Sequence, residues 1–293
     1  MTPAVRLRWH LLAVAVVLIW GVTFVNSKVL LNHGMQAHEI FTVRFLLAYA
    51  CIWTISPHRL WTDSLRSELH MVLLGITGGS LYFVTENMAV KTGYVNNVSF
   101  IVCTAPLLTT ILALIFIKDV KATRPLITGS LMATAGVALV VFNGQIVLHL
   151  NPLGDLLAFC AALCWAVYSL LLRGAAGYDS VFVTRKVFGY GLLTVLPVYI
   201  FHPWHYPLAD LLVPAVAGNL LFLGLVASFA CFALWSLVSK RLGALTVSNY
   251  VYLNPVSTVV TSALVLNQGM TAMAFTGSAL ILAGVYLANK KAQ

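Results

Sequence analysis

The apolar residues of this chain fall into long runs separated by short polar breaks, and that spacing commits it to a membrane. Crossing the hydrocarbon core takes about 20 apolar residues, and the breaks cut the sequence into about ten such runs with almost nothing left over. Of the 293 residues, 9% are charged and 60% hydrophobic, whereas soluble domains carry roughly 25% charged residues. At a mean hydropathy of +0.93, too little polar surface remains to dissolve a compact body. The expected spans are His10–Leu31, His38–Ser56, Leu69–Val90, Tyr94–Ile117, Pro125–Phe142, Pro152–Arg173, Ser180–Phe201, Val213–Ser239, Ala244–Leu266 and Met270–Asn289. This predicts an all-α integral membrane protein of ten transmembrane helices, with short connections that make neighbours antiparallel.

A net charge of +9 suits nucleic acid only when it is gathered on a solvated face. Here Lys and Arg stand singly or in pairs between apolar runs, so no nucleic-acid partner is expected. Arg6 and Arg8 precede a run from Leu11 to Leu31, longer than a signal h-region of roughly 7–15 residues, and that run is read as helix one. With this end cytoplasmic, Arg6, Arg8, Arg59, Arg66, Lys118, Lys121, Arg124, Arg173, Lys240, Arg241, Lys290 and Lys291 gather on the inner side. Lys91 and Lys28 belong to the outer side. The positive-inside rule then puts both termini in the cytoplasm, for a multi-pass protein of a bacterial inner (plasma) membrane whose standing partner is the lipid bilayer. Cys51, Cys103, Cys160, Cys164 and Cys231 all lie in apolar runs. No His or carboxylate joins them at ligand spacing, so they are read as packing residues, with no metal or other cofactor expected.

The chain also repeats itself. Trp20 answers to Trp165, Arg44 to Arg185, Gly75 to Gly224, Lys91 to Lys240 and Pro106 to Pro255. Gly129-Ser130 answers to Gly277-Ser278, and Gly136-Val137 to Gly284-Val285. The order is kept throughout, and the offset changes only where loop lengths differ. Residues 1–145 and 146–293 are therefore read as two copies. An odd helix number per copy makes the second enter the membrane from the opposite face, giving two inverted five-helix repeats, an arrangement widespread in secondary transporters. Such halves rock about a midplane site and expose it alternately, so transport is the expected function; duplication that merely stabilises a bundle is the competing reading.

The same residues carry a family resemblance. Ile19-Trp20-Gly21-Val22-Thr23-Phe24 in helix one, Arg44-Phe45-Leu46-Leu47-Ala48 in helix two and Thr104-Ala105-Pro106-Leu107-Leu108 in helix four resemble the EamA family of the drug/metabolite transporter superfamily. The Gly-Ser…Gly-Val pattern of helices five and ten extends the likeness over nearly the whole chain. The resemblance implies ten helices, a central cavity between the halves and export of small metabolites such as amino acids. Members often have a Glu just after helices four and nine, where this chain has Asp119 and Gln268. Helix six reads Cys164-Trp165-Ala166-Val167-Tyr168, with Ala where helix one has Gly.

Candidate substrate-binding residues follow from the cost of polarity inside a bilayer. Glu86 is the only carboxylate well inside a span, and Arg44 stands at a similar depth from the same face, so the two can pair. Glu86 is either a proton site or contact for a substrate ammonium, with Arg44 as counter-ion or carboxylate clamp, or half of a structural ion pair. Arg185, the counterpart of Arg44, suits either a gate or snorkelling to the interface; Lys186 beside it points to another helical face. Trp20, Tyr82, Trp165, Tyr168, Trp235, Tyr250 and Tyr252 lie inside spans, and Trp235 stands where the first half has Glu86. These rings either line an aromatic cavity, which would also attract cations, or pack the core. Asn87, Asn249 and Asn254 are expected to face inward. Pro106 and Pro255 interrupt helices four and nine as hinge, site element or packing kink. The paired glycines of helices five and ten permit close helix contact, with a dimer face as a further use; monomer and homodimer both remain open.

A polytopic membrane enzyme would need a nucleophile and a base within the spans. His33, His38, His58, His70, His149, His202 and His205 lie in loops or near helix ends, with no His-Glu-x-x-His and no Gly-x-Ser-x-Gly elbow. A channel would need a polar filter loop, which is missing. The expected function is a secondary transporter exporting a small-molecule substrate, foremost amino acids, by alternating access with or without proton coupling. Nucleotide sugars or lipid-linked head groups form the alternative class, and call for a wider, more basic cavity than Arg44 and Arg185 supply.

Overall fold

The computed structural model describes residues 3–56, 59–93, 95–118, 120–121, 123–142, 151–257, 260 and 271–289. Asp119, Gln268, His58, His149, Lys290, Lys291 and most of the second part of expected helix nine lie outside that set. With no water in the hydrocarbon core, the backbone must satisfy its own hydrogen bonds, and every regular element among the described residues is helical. In chain order, α1 is Pro3–Asn32 and α2 is Ala37–Ile52. The pieces Leu65–Gly75, Ile76–Ser80 and Leu81–Thr92 run end to end as α3, and Val95–Val102 with Ala105–Phe116 make α4. Then come α5 at Arg124–Phe142, α6 at Pro152–Gly174 and α7 at Ser180–Phe201. Pro214–Leu221, Phe222–Ala230 and Cys231–Leu242 form α8, Ala244–Ser248 with Asn249–Leu253 opens α9, and Ala272–Ala288 is α10. Among the described residues, five stretches are long and apolar enough to cross a membrane: Val5–Asn32, Arg124–Val141, Pro152–Gly174, Ser180–Phe201 and Pro214–Leu242.

Polar caps set several of the helix ends. The Asp179 carboxylate accepts from the backbone N–H of Val181 and Phe182 at the start of α7, and Asn151 accepts from Gly154 at the start of α6. Gln36 and Glu39 form a capping box on α2.

The irregular stretches fall in α3, α4, α8 and α9. Ile76–Ser80 in α3 and Phe222–Ala230 in α8 are wound as π-helix, next to and across the matched pair Gly75 and Gly224. Gly79 leaves helical geometry altogether, at φ −123° and ψ −106°. Expected helix four is two pieces that part at Cys103 and Thr104, with Pro106 in the first turn of the second, where its missing N–H costs nothing. The stretch Asn249–Leu253 ahead of Pro255 is a 3-10 helix. Broken helices are tolerated at membrane depth where they line a cavity or lie against protein, and α3, α4, α8 and α9 all do so.

Packing crosses between the two parts of the chain in matched pairs. α1 lies against α8 and α9, as α6 lies against α3 and α4; α2 packs on α8, as α7 packs on α3. The most extensive helix pairing among the described residues is α5 with α10. A Cβ on Gly129 would sit 2.3 Å from the Ala288 nitrogen, and one on Gly136 2.6 Å from the Gly277 oxygen. The faces of these glycines meet each other inside one chain, which is the close helix contact their spacing permits.

The N-terminus of α1 marks what we call the near end of the bundle, where Lys240 Nζ donates to the Tyr178 carbonyl at 2.8 Å. At the far end, Asn151 Nδ2 donates to the Thr92 carbonyl at 3.0 Å. There Glu39 Oε1 also accepts from the backbone N–H of His205 and Tyr206 at 2.6 and 3.0 Å, fastening the segment after α7 to the start of α2.

Candidate functional site

A cavity of about 40 Å³ lies in the middle of the bundle. Its walls are Trp20, Thr23 and Phe24 of α1, Arg44 of α2, Tyr82, Phe83 and Glu86 of α3, and Val102 and Ala105 of α4. The second part of the chain adds Trp165 of α6, Phe232 of α8, and Val251 and Asn254 from α9.

The aromatic wall is contiguous. Trp20 and Trp165 meet edge to face with ring centroids 5.2 Å apart and planes at 88°. Tyr82 lies 5.2 Å from Trp165, and Phe232 5.5 Å from Trp20. Trp20 Nε1 donates to the Ala227 carbonyl at 2.9 Å, inside the π-helical stretch of α8. The Nε1 of Trp165 is buried and makes no hydrogen bond.

Arg44 and Glu86 both line the cavity. Arg44 Nε donates to Ser228 Oγ at 2.9 Å, and its guanidinium sits 4.3 Å over the Phe83 ring. Glu86 Oε1 accepts from the Tyr82 hydroxyl at 2.7 Å, one helical turn back along α3. The expected direct pairing is thus replaced by two separately anchored charges that share one small space.

The other sequence-derived candidates stand behind or away from this wall. Trp235 is buried against Trp20 at 4.9 Å. Tyr168 is buried beside Trp165 at 5.2 Å, where Gly78 makes room: a Cβ there would lie 2.3 Å from the Tyr168 ring. Asn87 is buried with its Nδ2 unbonded. Tyr252 is buried and accepts from Thr134 Oγ1 at 3.3 Å, toward α5. Tyr250 bonds His10 Nδ1 at 2.6 Å near the near end.

Arg185 is not brought into the cavity. Its guanidinium lies 4.3 Å from the Trp53 ring and donates to the Arg59 carbonyl, in a separate near-end pocket of about 220 Å³. Lys186, expected on another helical face, lines the same pocket and pairs with Glu68, which also accepts from Tyr190. Thr62 Oγ1 donates to the other Glu68 oxygen at 2.7 Å. On the loop above, the Arg59 guanidinium bonds Asp63 and holds its carboxyl below the usual range. Among the described residues no cluster of three His, Cys, Asp or Glu is arranged to hold a metal ion.

Sequence reasoning missed Thr23, Phe24, Phe83, Val102, Ala105, Phe232 and Val251 as wall residues, and Ser228 as the partner of Arg44. Thr23 and Phe24 stood within the helix-one motif, and Ala105 within the helix-four motif. The others are small or apolar residues of apolar helices, and nothing local separates a cavity wall from core.

Comparison with known proteins agrees with this architecture. The model of the EamA-like transporter family matches residues 7–142 and again 152–290. An uncharacterized transporter of Archaeoglobus fulgidus is 26% identical over 287 residues, covering 96% of this chain and 97% of the relative. A probable amino-acid metabolite efflux pump of Escherichia coli is 25% identical over 296 residues, covering 94% and 93%. A probable terminal-alkyne amino-acid exporter of Streptantibioticus cattleyicolor is 26% identical over 226 residues, covering 76% and 74%. One crystal structure superposes with a TM-score of 0.76 at 18% identity over 96% of both chains, which shows a common fold. The chain therefore belongs to the EamA-like transporter family.

Proposed function

We propose that the protein exports small zwitterionic metabolites, amino acids foremost, by alternating access between two inverted five-helix halves, residues 1–145 and 146–293. The observation that carries this reading is the pairing of one cation and one carboxylate within an aromatic wall. Arg44 offers a fork for a substrate carboxylate, Glu86 an acceptor for its ammonium, and the rings a surface for its side chain and cation. The relatives named as amino-acid exporters support the substrate class. A nucleotide sugar would need more cationic lining than Arg44 alone supplies.

The cavity holds only a few waters at its present size, so a substrate enters when the halves part. The helix pairing supports this motion: exchanging the halves maps α1 on α8 onto α6 on α3, and α2 on α8 onto α7 on α3. Halves related in this way have two equivalent arrangements. In the present one Trp20 holds Ala227 while the indole N–H of Trp165 is unbonded. In the opposite arrangement Trp165 would donate to Gly78, the counterpart of Ala227 at the offset that relates Gly75 to Gly224, and the bond from Trp20 would open. Glu86 exchanges a proton as the cavity changes sides. The excess of Lys and Arg at the near end supports cytoplasmic termini in an inner-membrane bilayer.

Thermal unfolding of the purified protein tests the substrate class. Millimolar aromatic or aliphatic amino acids should raise Tm in the native protein and not in Arg44→Ala. Stabilisation by nucleotide sugars alone would remove amino acids as substrates.

A further inference from the structure

We propose that a groove at the far end, between α2, α3 and α7, binds an anionic phospholipid, with its phosphate at the rim and an acyl chain along the apolar wall below. The groove encloses about 500 Å³. Three helix ends meet at its rim: α2 begins at Ala37, α3 ends at Thr92 and α7 ends at Phe201.

The chemistry divides below that rim. Lys91, His38, His202 and His205 line the rim, and no carboxylate lies among the lining residues. Glu39, at the start of α2, is occupied by backbone donors: Oε1 takes His205 and Tyr206, and Oε2 takes the N–H of Gln36 at 2.7 Å. Lys91 is exposed and gives one of its donors to Gln36 Oε1 at 2.7 Å, which holds the ammonium at the rim. His38 is 6% exposed and its Nε2 makes no hydrogen bond. One to two turns deeper the lining is Val84, Met88 and Val198. Met88 is 39% and Phe201 78% exposed, so this wall opens sideways to lipid. A rim of one ammonium and three imidazoles above an apolar sideways slot fits a phosphate carrying an acyl chain; a soluble carboxylate would have no use for the slot. Basic pockets between membrane helices hold lipid head groups on this principle.

The groove is separate from the central cavity. Tyr82 and Glu86 look into the cavity from one face of α3, while Val84, Met88 and Lys91 line the groove from another. Lipid binding is therefore measurable apart from transport.

The test is native mass spectrometry of the full chain after exchange into mixed micelles of phosphatidylglycerol or phosphatidylcholine. The native protein should retain phosphatidylglycerol over phosphatidylcholine, and the double variant Lys91→Met/His202→Ala should retain about fivefold less or lower still. Lys240→Met, at the opposite end, should retain as much as the native protein. Equal retention of the two lipids, undiminished retention in the double variant, or equal loss in Lys240→Met would overturn the proposal. Displacement of phosphatidylglycerol by millimolar inorganic phosphate or amino acid would also overturn it, by showing a site for solutes.

Discussion

Trp20 and Trp165 touch edge to face across the central cavity, yet Trp20 donates its indole N–H to Ala227 and Trp165 donates to nothing. Two indoles that face each other across one cavity are thus bonded unequally. Replacing Trp20 with Phe leaves the buried Ala227 carbonyl without this donor, at a cost of about 1–3 kcal/mol to the arrangement seen here. Replacing Trp165 with Phe removes a donor that this arrangement does not use, and weakens the opposite one instead. Distances between spin labels at the near ends of α3 and α8 should therefore move in opposite senses in Trp20→Phe and Trp165→Phe. Shifts of the same sign would separate the tryptophans from the access change.

Arg44 is anchored to Ser228 and Phe83 and Glu86 to Tyr82, so the two charges have separate supports and separate expected phenotypes. Arg44→Ala should raise the half-saturating substrate concentration about 10- to 100-fold, since hydrogen bonds to charged groups contribute about 1.5–3 kcal/mol. Glu86→Gln should keep exchange at equal pH but lose its stimulation by a pH gradient. Uptake into vesicles with and without the gradient reads both effects.

The α5–α10 contact makes a stability prediction that is independent of transport. A methyl at Gly136 or Gly284 meets backbone at 2.6 and 2.5 Å, which side-chain rotation cannot relieve. Gly136→Ala and Gly284→Ala should each destabilise by about 1–3 kcal/mol, read as a lower Tm in detergent. Gly177→Ala, whose Cβ meets nothing within 4 Å, should leave Tm unchanged.

Glu68 and Lys186 are both largely buried where α3 meets α7. Removing one member of such a pair strands the other charge and costs about 3–5 kcal/mol, whereas replacing both with apolar residues is far milder. Lys186→Leu should therefore unfold at lower temperature than the double variant Glu68→Leu/Lys186→Leu. The reverse order would make the pair a net stabiliser beyond its desolvation cost.

Much of this was legible in the chain because membrane helices are specified by length and apolarity. The span Ser180–Phe201 was read to the residue, since Asp179 caps its start and a polar loop begins at His202. The glycines of α5 and α10 announced a close contact, although their spacing could not say whether the partner lay in the same chain. Glu86, Arg44, Trp20 and Trp165 were found because a charge or a repeated indole inside a span is costly or conspicuous. Phe83 and Phe232 were not, because an apolar ring reads the same on a cavity wall as in the core. Arg185 was read as a gate or an interfacial residue, and its partners at the near end, Trp53 and the Arg59 carbonyl, come from other elements and left no signal beside it in the sequence. The π-helical stretches left no signal beyond their glycines.

Counterflow in proteoliposomes decides the substrate and the transport mode together. Vesicles are preloaded with unlabelled amino acids or nucleotide sugars, and labelled uptake is followed with and without a pH gradient. Aromatic or aliphatic amino acids should drive labelled amino-acid uptake through the native protein, faster with the gradient, and in Arg44→Ala do so only at about 10- to 100-fold higher concentration. Exchange of a nucleotide sugar with silence from every amino acid would contradict the assignment of the Arg44–Glu86 cavity to zwitterions.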